Sequence, residues 1–532
     1  MGTTRRAFLA TGTGLGLGAL VSGNQSFASP DAYPTGRPRS PFLRANSRGH
    51  LTYPRDAEGN RIPDFSCAGY RRGEVPIPNV PVVRTISPID GDNTAHIQAA
   101  LDAVGALPQD VTGFRGAVQL TAGTYPVYGT IKITRDGVVL RGVGDDEDPS
   151  ANTVIRAIGD TPTGRYVVVL GGGPGGWSLG EIPGTRTDIT SDLVQVGERS
   201  FTVADPSLVR PGDTIIVNHP CSAAWLTAVD GGGTHTDPPW DVDEWPIRFN
   251  RDVVDVSGSS VTVDTGVFNH LDRSLSQCYV YRWEQPEMVR NVGVEGIRVD
   301  IEYLGDPDTD EAHARSAFVV QQARDAWVRD CTGLHFVYAG VDIRTATQVT
   351  VANCRALRPV SLITGSRRYN FNVSSYSSQV LFSDCHASDA RHAFVSNGTG
   401  TASGLVFLRG SSERSLATSE GHRSWTQGML FDNHREIDPR VDTTVGLFNR
   451  GSAGDGHGWA AVHSVAWKCD VAGTKLVVQK PPTAQNYAIG CFGTTTGDGP
   501  FVQPAGHIEG SNDPSISPPS LYEAQLADRL LA

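Results

Sequence analysis

Between residues 323 and 410 the chain repeats one short pattern of apolar and polar positions: two or three apolar residues in alternation, then a polar residue, then a small one. The copies are Trp327-Val328-Arg329-Asp330-Cys331, Val349-Thr350-Val351-Ala352-Asn353-Cys354, Val380-Leu381-Phe382-Ser383-Asp384-Cys385 and Leu405-Val406-Phe407-Leu408-Arg409-Gly410. Their last residues are 23, 31 and 25 positions apart. Period-two alternation marks a strand with one buried face, and uneven recurrence at one turn's worth of chain marks a coil of strands with loops of varying length. The pattern predicts a parallel β-helix. Cys331, Cys354 and Cys385 hold one place in successive coils, so they should stack as a column of small buried thiols, with Gly410 next in line.

Either side of the repeats the pattern changes. Residues 29–85 are rich in Pro, Gly and Arg without periodicity and predict an arm along the body. In 86–160, Thr94 is placed to cap a helix whose Ile97, Ala100, Leu101 and Val104 fall at helical spacing. Ala117 to Val127 and Val138 to Gly144 then read as strands split by glycine turns. Residues 161–285 lose the coil pattern. Ser200 to Val203, Thr214 to Val217 and Ser260 to Val263 predict an antiparallel β insertion, with a loop from His219 to Trp245 placed to overhang a cleft or merely decorate the surface. The coil resumes over 286–495, and in the tail, 496–532, Ser520 and Glu523 form a capping box opening a helix through Leu531.

The run DGDNTAHIQAAL, followed by AVQLTAGTYPV and GVVLRGVG, resembles the opening of the pectate-lyase-like superfamily of right-handed parallel β-helices. The segments GSRRYNFNVSS, SDCHASDARHAFVSNG, GHRSWTQGMLFDN and NRGSAGDGHGW resemble a bacterial exported subgroup of it. The resemblance implies an all-β right-handed coil with an N-terminal capping helix. It leaves the reaction open, since the superfamily includes lyases, glycoside hydrolases, fructotransferases and tailspikes.

Composition narrows the partners. Thr4-Arg5-Arg6-Ala7-Phe8-Leu9, an apolar stretch to Val21 and Ser26-Phe27-Ala28 predict a twin-arginine export signal over residues 1–28, hence a secreted protein. Without it the net charge is −14, which argues against a nucleic-acid partner. No long apolar run elsewhere predicts a membrane span. Cys221 and Cys278 are left open as a disulfide pair, and a homo-oligomer is left open too.

Against that acidity, residues 355–450 carry eleven Arg and no Lys beside eight acidic residues. Arginine throughout suits bidentate recognition of carboxylates, or else simple pairing with neighbouring acids. Arg367, Arg368 and Tyr369, then Arg391 and His392, then His422 and Arg423 fall at corresponding places in successive coils. They are predicted to share one patch of the outer wall, since rungs are about 4.8 Å apart. That set suits β-elimination on a uronate-containing extracellular polysaccharide. Arginines neutralise the carboxylate, His392 or His422 removes the neighbouring proton, and Tyr369 protonates the leaving oxygen. Arg391 and Arg423 join the catalytic candidates. Arg367, Arg368, Trp425, His457, Trp459 and Arg450 are the substrate-binding candidates. The alternative is a hydrolase or fructotransferase using paired carboxylates from Asp389, Glu413, Glu420, Asp432 and Asp455. A non-catalytic glycan-binding coil comes third. Calcium, used by several lyases of the superfamily, has no loop signature here and is left open.

Overall fold

The computed structural model describes residues 40–172, 180–285 and 287–531. The export signal predicted for residues 1–28 lies outside them. A parallel sheet of 27 strands winds as a coil with three walls. On the first wall the repeats stack in register: Val294, Val328, Val351, Phe382, Phe407 and Phe431 are successive partners. The Phe382, Phe407 and Phe431 rings stack with centroids 5.3 and 4.9 Å apart. This column fills the lumen, whose side chains are almost wholly buried.

The polar residue ending each repeat is a left-handed turn. Asp330, Asn353, Asp384, Arg409 and Asn433 have φ of 53, 52, 56, 49 and 57°. Asn and Asp tolerate that conformation best among residues with a side chain, which is why they recur there. Cys331, Cys354 and Cys385 follow it as buried free thiols, and Cys221 and Cys278 are also free. At Gly410 a Cβ would lie 2.9 Å from the Phe394 ring, so the fourth copy has no room for cysteine.

The N-terminal helix, Thr94–Gly105, buries Ile97, Ala100, Leu101 and Val104 against the first coils. Its cap position is Asn93 and not Thr94, because the Asp92 carboxylate accepts from both the amide and the hydroxyl of Thr94. The C-terminal helix, Leu521–Leu531, keeps half of its predicted box: Ser520 Oγ accepts from the Glu523 amide at 3.2 Å, while the Glu523 carboxylate turns away to Arg409. It docks on the arm, where Tyr522 Oη donates to the Ala68 carbonyl and Gln525 Nε2 to that of Pro63, both at 2.9 Å.

The insertion is a six-stranded antiparallel sheet drawn from segments between Thr187 and Arg282. It starts later than the pattern suggested, since Tyr166–Gly171 still pairs as a coil strand with Ile131–Ile133 and with Ser316–Gln321. The insertion packs on the turns that leave the third wall. Trp225 and Trp425 meet edge to face at 5.0 Å, and Trp240 Nε1 donates to the Gly456 carbonyl.

Candidate active site on the third wall

The third wall runs through Ile131–Ile133, Tyr166–Gly171, the starts of Ser316–Arg329 and Ala339–Ala352, then Tyr369–Val373, His392–Ser396, Ser419–Gly421 and Thr443–Leu447. Its later rungs carry the candidate chemistry. Tyr369 and His392 are register partners on adjacent strands. Val395 pairs with Glu420, and the ladder continues past the strand ends, the His422 amide donating to the Ser396 carbonyl at 2.8 Å. Tyr369, His392, Glu420 and His422 thus meet outside the lumen.

The contacts within the cluster are specific. His392 Nδ1 lies 2.6 Å from the Thr418 carbonyl, so it carries the proton and donates. His392 Nε2 is then a lone pair, fully buried and without a hydrogen-bond partner. Its ring centroid is 4.5 Å from that of His422 and 5.5 Å from that of Tyr369. His422 Nε2 is 3.2 Å from Tyr369 Oη, which also accepts from Arg391 Nη1 at 3.2 Å and from the Ser366 amide at 3.1 Å. At the other side of the ring, Glu420 Oε1 and Arg450 Nη1 each approach His422 Nδ1 to 2.7 Å. One tautomer therefore accepts from Arg450 and donates to Tyr369. The other donates to Glu420 and accepts from Tyr369. Arg450 also reaches His457 Nδ1 at 2.9 Å and, through Nε, Glu420 Oε1 at 3.3 Å.

These histidines are neutral. Burial drives His392 well below the usual imidazole value against the pull of Glu420, helped by His422, Arg391 and Arg450. Burial, then Arg450 and His457, do the same for His422. His457 is lowered to about 4 by burial and then by Arg450 and Arg423. The close contact of His422 with Glu420 is accordingly a hydrogen bond of a neutral ring to a carboxylate, not an ion pair.

Other predicted residues lie elsewhere. Arg368 is buried and turned away, its guanidinium donating to the Ser361 and Pro307 carbonyls and to Asp308, and Arg367 grips Glu311 at 2.7 and 3.0 Å. Residues 361–364 form a loop, which this pair of arginines pins. Neither is available as a carboxylate clamp. Trp425 and Trp459 are sealed at 0% and 1% exposure, so neither can stack on a sugar. Arg391 is half-buried over the Tyr369 ring, and Arg423 is exposed with its guanidinium 5.6 Å from the Trp245 ring. Trp245 is thus where the insertion overhangs the cluster.

Of the alternative acids, only Glu420 belongs to the cluster. Asp389 is bound at 2.7 and 2.9 Å by Arg414, which also holds Glu413. Asp432 is buried under the C-terminal helix, accepting from Ser520 Oγ, the Tyr522 amide and Asn433. Asp455 is exposed on a neighbouring loop. Among the described residues the one group of three metal-ligand side chains within mutual reach is His392, Glu420 and His422, with ligand atoms within 4.8 Å of one another. Two imidazoles and one carboxylate do not make the oxygen shell calcium takes. Arg450 already sets positive charge beside Glu420. Sequence reasoning missed Thr418, whose carbonyl fixes the His392 ring; nothing in its residue type signals that role.

No protein-family model matches the chain, and no curated protein matches it in sequence. Solved structures of similar form include a tailspike protein from Pseudomonas phage LKA1, 14% identical, TM-score 0.39, covering 75% of this chain and 56% of that one. Another is an alginate lyase from Paenibacillus, 11% identical, TM-score 0.38, covering 81% of this chain and 100% of that one. A third is a family 28 exopolygalacturonase from Yersinia enterocolitica, 12% identical, TM-score 0.33, covering 80% and 78%. The chain therefore spans little more than half the tailspike's length. At these identities the likeness is one of fold, and the chemistry has to be read from the side chains of this chain.

Proposed function

We propose that the protein cleaves an acidic polysaccharide by β-elimination, outside the cell to which its N-terminal signal would send it. The observation that carries this reading is His392: a neutral imidazole with Nδ1 tied to a backbone carbonyl and Nε2 bare, beside a tyrosine and several arginines. An oriented, uncharged ring nitrogen is what a general base requires, and because Nε2 is covered in this structure the side chains around it must part to admit the sugar. Arg391 and Arg423 meet the uronate carboxylate and acidify the C5 proton, which His392 Nε2 accepts. The C4–C5 double bond forms as the C4–O4 bond breaks, and Tyr369 Oη passes its proton to O4. His422, able to hold its proton on either nitrogen, re-supplies Tyr369 through the 3.2 Å contact. Arg450 holds His422 and Glu420 in place.

Hydrolysis by paired carboxylates fits less well, since it needs two acids about 5 to 9.5 Å apart. Glu420 is alone in the cluster. The next acid on the same outward column, Asp342, is three register steps away through Asn372 and Val395, about 14 Å at 4.8 Å per rung. Digestion of a uronate polysaccharide panel tests the reading. New ultraviolet absorbance of unsaturated ends supports elimination; reducing ends without it would replace elimination with hydrolysis.

A further inference from the structure

The cluster sits on a much longer wall, which continues past it through Thr443–Leu447 and runs much further in the other direction. From Glu420 the outward register runs through Val395, Asn372, Asp342, Val319 and Val169 to Lys132. Those six steps span about 29 Å at 4.8 Å each. Two residues further along each strand, a second line joins Gln321 to Arg344 and continues through Ser374, Asn397 and His422, whose amides donate in turn to the Ile343, Val373 and Ser396 carbonyls. Gln321, Arg344, Ser374 and Asn397 are each half-exposed, so this line is a polar floor that solvent reaches. Arg344 Nη1 donates to Tyr166 Oη at 3.1 Å, extending the floor one strand beyond Gln321.

At the Lys132 end the floor opens into a cavity of about 730 Å³, lined by Arg115, Lys132, Arg135, Tyr166, Gln321 and Glu287 among others. Arg115 spends its guanidinium on the Asp136 and Leu107 carbonyls. Lys132 and Arg135 are exposed, and among the described residues neither has a carboxylate within ion-pair distance. Most arginines of residues 355–450 are paired, so unpaired cations at the far end of the same wall stand out.

We infer that this cavity is a distal subsite for an anionic sugar, carboxylated or sulfated, of the chain cut at His392. The inference rests on the elimination reading for the chain's direction and adds its length. A glycosidic repeat of about 5 Å nearly matches the rung spacing, so a polymer lying along the wall places a unit at Lys132 roughly five or six residues from the reacting one. The protein then takes long polyanionic chains and cuts within them.

Retardation of the full chain in native gels containing a polyuronate, with a sulfated glycan in parallel gels, reads binding without turnover and separates the two anion types. Lys132→Glu combined with Arg135→Glu should lower retardation and raise KM about tenfold on long chains, a tenfold change being 1.4 kcal/mol. Rates on dimers and trimers should stay unchanged. Equal retardation and equal KM for variant and parent overturn the subsite. A parent that is retarded but yields no unsaturated ends defeats elimination alone, and loss of that retardation in the variant still supports the subsite. No retardation by either glycan overturns it.

Discussion

The Nδ1 atom of His392 lies 2.6 Å from the backbone carbonyl oxygen of Thr418, and this contact decides which face of the imidazole is left for chemistry. Replacing His392 with Gln keeps a donor for that carbonyl while removing the basic nitrogen. The variant should lose turnover by about 10²–10⁴-fold, with stability lowered by only about 1 kcal/mol. Tyr369→Phe should lower kcat with KM little changed, because its hydroxyl acts on the leaving oxygen. Steady-state rates with thermal melts check both; parent-like kcat in either variant removes that residue from the mechanism.

Arg368 and Arg423 should separate cleanly. Arg368→Ala strips a buried guanidinium from two carbonyls and Asp308, and should destabilise by about 3–5 kcal/mol, as for other broken buried charge networks. Arg423→Ala, at an exposed side chain, should leave the melting temperature within a degree or two and raise KM. A stable Arg368→Ala protein with raised KM would reverse the assignment.

Acid should weaken the fold before it protonates the cluster. Eight histidines have folded-state values lowered by burial: His219, His270, His313, His386, His392, His422, His457 and His463. Below 6.5 the unfolded chain takes protons that the folded chain refuses, so stability falls with pH until each folded value is reached, about 4 for His457. Asp432 opposes this: burial raises it to about 6, so its folded carboxyl gains a proton first as pH drops. Melting temperatures should therefore decline from pH 6.5 to 4.5, less steeply in His457→Gln. A flat profile across that window would mean the rings are charged in the folded state.

Gly410→Ala tests the column of small residues. Its Cβ would press on the Phe394 ring, with an expected loss of about 1–3 kcal/mol in chemical denaturation. An unchanged midpoint would show that the ring has room to move.

The coil was legible because its signal is periodic: the apolar alternation, the Asp or Asn at each left-handed turn and the following cysteine all repeat. The convergence of Tyr369, His392 and His422 was legible for the same reason, since counting rungs places them together. The fates of Arg367, Arg368, Trp425 and Trp459 were not. Each is decided by a non-periodic partner: Glu311 and Asp308 on a distant loop for the arginines, the insertion's Trp225 for Trp425, and Gly232 for Trp459, whose amide donates to its carbonyl. Lys132 was overlooked because only the register shows that it shares an outward column with Glu420.

The groove's two sides have different origins. Its floor is laid down coil by coil, each rung constrained by the ones above and below, whereas Trp245 sits on a loop of the inserted antiparallel sheet, just before its strand Ile247–Ser257. If the elimination reading holds, exchanging residues 241–246 alone would re-tailor which branches or acyl decorations a polymer can carry past the reacting unit, while the repeating scaffold stays as it is.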